Sequence, residues 1–413
     1  MQRRGFLKSV LAGPAAGLTQ AGGAAGESYL YLGRTSGYRP HRIIEPGRKI
    51  TRIETFTSKS ISIVRIETAD GAEGWGQIST YDADISATVL HRKIARHFLG
   101  RDPAAIDEIA DRAVEANYKY PWSYVCRALA GADTAVWDLY GRIRKEPVVA
   151  LLGGKHQSHG AYGSSMSRTI QPEQEAARLK KLKEEKGFQA FKVRLGRVNG
   201  HNRDQWPGRT EELIPAVRKA VGDEVKLLAD ANSCYTPDKA VEIGRLLEDH
   251  GYYQYEEPCP YWELEWTAEV ARKLEIPVSG GEQDNDLAQW RRMIRMRAVD
   301  VVQPDVCYLG GLTRTLRVAQ MAQEAGLPCV PHSANLSLVT VFSLHVLGAI
   351  PNAAPYVEFS IETEAGINQE ARRLYSPRLV VKDGRVAIPS GPGWGVKIRQ
   401  EWLAEAEHQE SHI

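Results

Sequence analysis

An α/β fold, with eight parallel strands in a barrel beside a smaller α+β unit, is what this sequence predicts. Three observations lead there. The chain has 413 residues, more than one ordinary core needs and suited to a large barrel with a second domain. From Ala161 onward, short apolar runs alternate with helical patterns, the grammar of a parallel sheet. Ahead of that point, three strand-like runs precede a block of helices, which reads as α+β.

The start MQRRGFLKSVLAG places Arg3 and Arg4 before Phe6, Leu7 and Lys8, with an Ala- and Gly-rich stretch behind them. It resembles a twin-arginine export signal, and residues 21–26 offer small side chains for cleavage. The alternative is a basic start without an address, and a cytoplasmic protein. Residues 1–27 are set apart from the fold on either reading. The Gly-, Arg- and Tyr-rich residues 29–48 follow, and then ITRIETFT and SISIVRIET alternate as two strands across a turn at Lys59 and Ser60. GAEGWGQ makes a third strand. Three helical patterns complete a first domain over residues 28–160: ISATVLHRKIARHFLG, PAAIDEIADRAVEA and VCRALAGADTAVWDLYGRIRK.

Residues 161–372 carry the barrel. Its strands are residues 162–165 and the runs FQAFKVR, VKLLAD, YYQYEE, IPVSGGE, DVVQPD, PCVPH and PYVEF. Segments such as PDKAVEIGRLLEDHG and LTRTLRVAQMAQEAG supply the helices between them. GRVNGHNRDQWPGRTEE, after Arg194, is a long polar insertion, and loops of that length are usually functional or disordered. Residues 373–413 contain a hairpin-like LVVKDGRVAIPSGPGWG and are expected to return to the first domain.

Composition narrows the function. Lys and Arg number 53 against 51 Asp and Glu, so no electrostatic footprint for nucleic acid or an anionic membrane exists. No apolar run is long enough to span a bilayer. Cys126, Cys234, Cys259, Cys307 and Cys329 are scattered with no CxxC pair, which argues against a disulfide framework or a zinc site.

Each barrel strand ends in a charged or hydrogen-bonding residue: Lys192 and Arg194, Asp230 and Asn232, Glu256, Glu282, Asp305, His332 and Glu358. That edge is the active-site face of a barrel. Asp230, Glu256 and Glu282 come from three consecutive strands and converge, which is unfavourable unless a cation lies between them. An all-oxygen set suits Mg²⁺, with Mn²⁺ as a substitute. Lys192 and Arg194 balance the excess negative charge. Asp305, one strand before His332, can fix the tautomer of that ring and raise its basicity.

The contexts LLADAN, YEEP, GGE, QPD, PHS and VEF, with 23 to 27 residues between successive members from Asp230 to His332, resemble as an ordered set the mandelate racemase subgroup of the enolase superfamily. WDLYGR and EGWGQ extend the resemblance to roughly residues 48–395. It implies a (β/α)₇β TIM-like barrel under an α+β cap, one Mg²⁺ per subunit, a small carboxylate substrate and assembly into homo-oligomers. It further implies that His332, paired with Asp305, removes a proton α to the carboxylate. Lys192 then acts on the substrate carboxylate, and a protonated Glu358 donates to its second oxygen. Enolase-superfamily sites of this kind are a worked example of Lys or His bases with Mg²⁺.

Two departures matter. The subgroup's two-faced enzymes carry Lys-x-Lys on the second strand, where this chain has Lys192-Val193-Arg194. An arginine does not readily give up its proton. The expectation is therefore one-sided chemistry: dehydration of a sugar acid to a 2-keto-3-deoxy acid, with Arg194 free to clamp the substrate. A racemase or epimerase and a non-catalytic carboxylate-binding protein are the alternatives. In the cap, the specificity loop is reduced to the Lys59–Ser60 turn. Arg34, Tyr38, Arg39 and His41 either fill the space or form a wrapping arm. Tyr38, Trp122 and Asn232 are the expected substrate contacts, and His345 reads as a packed helix residue.

Overall fold

The computed structural model describes residues 45–413 apart from 121, 156 and 363–365. The twin-arginine-like start and Arg34, Tyr38, Arg39 and His41 lie outside the described residues. Strands β1 (Ile50–Ser58), β2 (Ile61–Thr68) and β3 (Glu73–Gln77) form an antiparallel meander. Lys59 makes the β1–β2 turn with a left-handed φ of 50°. The helix Ser123–Arg144 lies across this sheet, and nearly all of its residues after the first turn are buried.

The glycines of EGWGQ explain how closely helix and sheet approach. A Cβ on Gly74 would lie 2.1 Å from the Ala135 carbonyl oxygen, and one on Gly76 would lie 2.3 Å from that of Gly131. Gly76→Ala is expected to destabilise the protein by about 1–3 kcal/mol or more through overpacking, read as a lower urea midpoint. An unchanged midpoint would mean that helix and sheet are not locked this tightly. Asp138 fastens the same joint, accepting from the Trp75 N–H at 2.9 Å, the Trp394 N–H at 2.8 Å and Arg142 Nε at 2.5 Å.

The barrel strands are β4 (Ser158–Ser164), β5 (Ala190–Arg194), β6 (Lys226–Asp230), β7 (Gln254–Glu256), β8 (Val278–Gly280) and β9 (Val301–Val302), paired in parallel in that order. PCVPH is present only as bridges, Cys329 joining Val302 on one side and Ala353 on the other. β10 (Tyr356–Ser360) then pairs in parallel with β4 and closes the ring. Helices Pro172–Lys186, Arg209–Val221, Pro237–Asp249, Leu264–Lys273, Leu287–Met296, Leu312–Glu324 and Leu338–Leu347 link successive members, which makes the fold a (β/α)₇β barrel with a cap. Among the described residues, no helix is long and apolar enough to cross a membrane. All five cysteines are free and buried.

Two expectations resolve differently in detail, and a third, for His345, holds. The tail divides. Its hairpin, Val381–Lys382 with Arg385–Ala387, pairs with the start of β4, whereas Glu407–His412 pairs antiparallel with β1 and so joins the cap sheet. The insertion after Arg194 is an ordered brace, because the Asn199 N–H donates to Asn232 O at 3.0 Å and the Asn202 N–H to Cys234 O at 2.9 Å. His345 is buried in the Leu338–Leu347 helix, where Nδ1 accepts from the Val149 N–H at 3.0 Å.

Candidate active site

Alternation along β5 puts Lys192 and Arg194 on one face of the strand with Val193 on the other. Lys192 is fully buried, and its Nζ lies 2.8 Å from Glu256 Oε2, 2.9 Å from Glu358 Oε1 and 3.4 Å from Asp230 Oδ2. One ammonium thus draws together carboxylates from β6, β7 and β10, and their attraction outweighs burial to raise its proton affinity. The Arg194 guanidinium bonds closely to Asp230 Oδ2 through Nη1, which also donates to Asn232 Oδ1 at 2.9 Å. Its Nε donates to Ser165 O at 3.1 Å. Arg194 was expected to be free for a substrate; the facing Asp230 carboxylate engages it instead.

His332 stands across the ring. Its Nδ1 is 2.7 Å from Asp305 Oδ2, while Asp305 Oδ1 accepts from the N–H groups of Cys307 at 2.7 Å and Tyr308 at 3.0 Å. Asp305 is therefore anchored as the N-cap of the short helix Val306–Leu309 and holds the ring through its other oxygen. His332 Nε2 lies 3.0 Å from Glu282 Oε2. Burial opposes the charged imidazolium, but Glu282, Asp305 and Glu358 outweigh it and push His332 up to about 10.

Glu358 differs from its expected role as a protonated donor. It accepts from Ser164 Oγ at 2.7 Å and from the Ser333 N–H at 2.9 Å, beside the Lys192 contact. Burial favours its neutral form, yet Lys192, His332 and Arg194 hold its carboxyl well below the usual range. It is an ionised acceptor in this arrangement.

Asp230, Glu256 and Glu282, the carboxylates expected to converge, fit a hard dication in chemistry. Their donors are all oxygens, and Glu282 Oε2 is buried without a hydrogen bond, since His332 Nε2 is near it but not aligned as a donor. Burial and then Asp230 push Glu256 up to about 7, a crowding that a cation would relieve. Asp230 and Glu256 lean on Lys192 and Arg194 while Glu282 faces His332, so the three are not gathered within 4.8 Å of one another. Among the described residues, Glu54, His408 and Glu410 are the trio so gathered. That trio sits on the cap sheet, where Arg65 already pairs with Glu54 at 2.6 Å.

Asn232, an expected substrate contact, adopts a left-handed φ of 40° and accepts from both Arg194 and Arg168. Trp122, another, starts the Ser123–Arg144 helix and packs on the hydrophobic core, its indole N–H buried without a partner. Sequence reasoning passed over other groups here. Glu257, next to Glu256, is buried with Oε1 unpartnered. Tyr308 lies 5.9 Å from the His332 ring, with the cap's Arg127 stacked 3.7 Å over its centroid and Tyr81 edge-on at 6.1 Å. Arg168 follows β4. The second Glu of YEEP and an Arg three residues beyond Ser165 were the available signals.

Known proteins agree with this fold. Residues 40–153 match the mandelate racemase / muconate lactonizing enzyme N-terminal domain, and residues 174–402 match the enolase C-terminal domain-like family. The chain belongs to the mandelate racemase and muconate lactonizing branch of the enolase superfamily. Within that branch it is 30% identical to arabinonate dehydratase of Saccharolobus solfataricus, over 82% of this chain and 88% of that one. It is 54% identical to a proposed racemase from Roseobacter denitrificans whose crystal structure superposes with a TM-score of 0.86, covering 88% of this chain and all (100%) of the other. L-talarate dehydratase from Polaromonas sp. JS666, solved with Mg and L-glucarate, is 26% identical with a TM-score of 0.78, covering 89% and 100%.

Proposed function

We propose that this superfamily member is a Mg²⁺-dependent lyase that dehydrates a sugar acid to a 2-keto-3-deoxy acid, using Asp230, Glu256 and Glu282 to hold the ion. The observation that carries the reading is the His332–Asp305 pair facing a buried carboxylate set, with Arg194 tied to Asp230 where a second base would stand. A bound Mg²⁺ supplies positive charge to the substrate carboxylate, lowering the barrier to α-proton loss. With the Glu282 charge taken up by the ion, His332 would lose the largest of the charges that hold it protonated, so that its Nε2 could take that proton while Asp305 stabilises the resulting imidazolium through Nδ1. Lys192 adds charge beside the substrate carboxylate as negative charge builds there. The imidazolium then returns its proton to the departing β-hydroxyl. Water leaves, and the resulting enol becomes the 2-keto acid by taking a solvent proton at C3. The arabinonate dehydratase relationship supports this reading.

The similarity to a proposed racemase favours isomerisation as the second reading. Incubating a sugar-acid library with the protein and Mg²⁺ in D₂O separates the two by NMR. Dehydration yields a 2-keto-3-deoxy acid carrying deuterium at C3. Racemisation or epimerisation places deuterium at C2 with inversion and no loss of water. Neither product from any acid defeats both readings.

A further inference from the structure

Arg168 is a cation at the barrel mouth that, among the described residues, has no ion pair of its own and shares the charge of Asp230 with Arg194. It follows β4, reaches across β5, and bonds to Asn232 Oδ1 through Nη2 and to Gly196 O through Nε at 3.1 Å. Both acceptors are neutral. Arg194, which shares the Asn232 oxygen, has Asp230 as its partner. Among the described residues Arg168 makes no ion pair, and its Nη1 has no hydrogen-bond partner. Two guanidiniums thus converge on one amide oxygen with a single carboxylate between them.

That arrangement is unfavourable as it stands. Burial first, and then the charge of Arg194, lower the proton affinity of Arg168 to about 10. A neutral hydroxyl does not relieve this repulsion; an anion does. The planar fork of an arginine matches a carboxylate with two parallel hydrogen bonds. Asn232 follows β6, which stands opposite the His332 segment in the ring order. The free edge of Arg168 therefore lies on the side of the mouth away from the base, beyond the Arg194–Asp230 pair that borders the buried carboxylates. The brace after Arg194 supports this position, because the Asn199 N–H donates to Asn232 O at 3.0 Å.

We propose that Arg168 is a specificity residue that binds a second carboxylate at the far end of the substrate, so that the preferred sugar acids are aldaric diacids rather than aldonic monoacids. This rests on the sugar-acid reading above, but its test does not require turnover. The Mg²⁺-loaded protein is titrated calorimetrically with galactarate and galactonate, and with glucarate and gluconate. At least one diacid should bind tenfold or more tightly than its matched monoacid. Arg168→Met should erase that difference, and Arg168→Lys should keep part of it, with melting curves confirming that each variant is folded. Equal binding of diacid and monoacid overturns the proposal. So does a preference that survives both substitutions, or a failure of both pairs to bind at millimolar concentration. A diacid that binds through Arg168 yet gives neither 2-keto acid nor isotope exchange would defeat the dehydratase reading and leave this one standing.

Discussion

His332→Asn should lower kcat by about 10²- to 10⁴-fold, the usual contribution of a positioned general base. The Asn side chain keeps a polar group beside Asp305 but has no basic nitrogen to place near Glu282. Asp305→Asn should act in the same direction, because an amide can present its N–H to Nδ1 and turn the ring to the wrong tautomer, a change that costs about 10⁴ in a serine protease. The contrast is in binding: neither variant removes a proposed metal ligand, so both should keep their Mg²⁺ affinity within a few-fold. Substrate α-proton exchange in D₂O is the decisive measurement. Exchange at the wild-type rate in His332→Asn would mean that another group takes the proton.

Stripping the protein with a chelator should abolish turnover, and adding back Mg²⁺ or Mn²⁺ should restore it. Glu282→Gln tests the same site through one ligand. A group that only orients a metal ligand costs about 10–100-fold in affinity when lost, so losing a direct anionic ligand is expected to exceed that range. The buried, unbonded Glu282 Oε2 is the atom at issue. Binding should also stabilise the fold. Free Mg²⁺ at a hundred times its Kd adds about 2.7 kcal/mol, which for a chain of this size should raise Tm by a few degrees. A Tm that ignores Mg²⁺ at millimolar concentration, together with turnover that survives chelation, would place the carboxylates in a purely structural role.

Much of this site was legible because a parallel barrel puts its strand ends on one rim. Asp230, Glu256, Asp305 and His332 could be found by locating the end of each apolar run. What the pattern does not contain is which partners meet across the rim. Periodicity says that Lys192 and Arg194 share a face; it does not say that Asp230 occupies Arg194 or that three cations keep Glu358 ionised. PCVPH read as a full strand but pairs only through bridges at Cys329 and His332, since its two prolines each lack an N–H for the ladder. Arg168 escaped notice because it lies past a strand end, in a loop where a charged residue is ordinarily solvated. The division of the tail between barrel and cap was likewise hidden, because hairpin strands of two and three residues leave little alternation to read.

The pairing of Glu407–His412 with β1 sets an order of events during synthesis. β1 emerges from the ribosome early, but its outer edge has no neighbour until the entire barrel has been translated. Through that interval the cap sheet exposes a row of unpaired backbone groups, an open edge of the kind that invites pairing with other chains. Asp138 waits in the same way for the Trp394 N–H. The domain encoded first is therefore the one finished last.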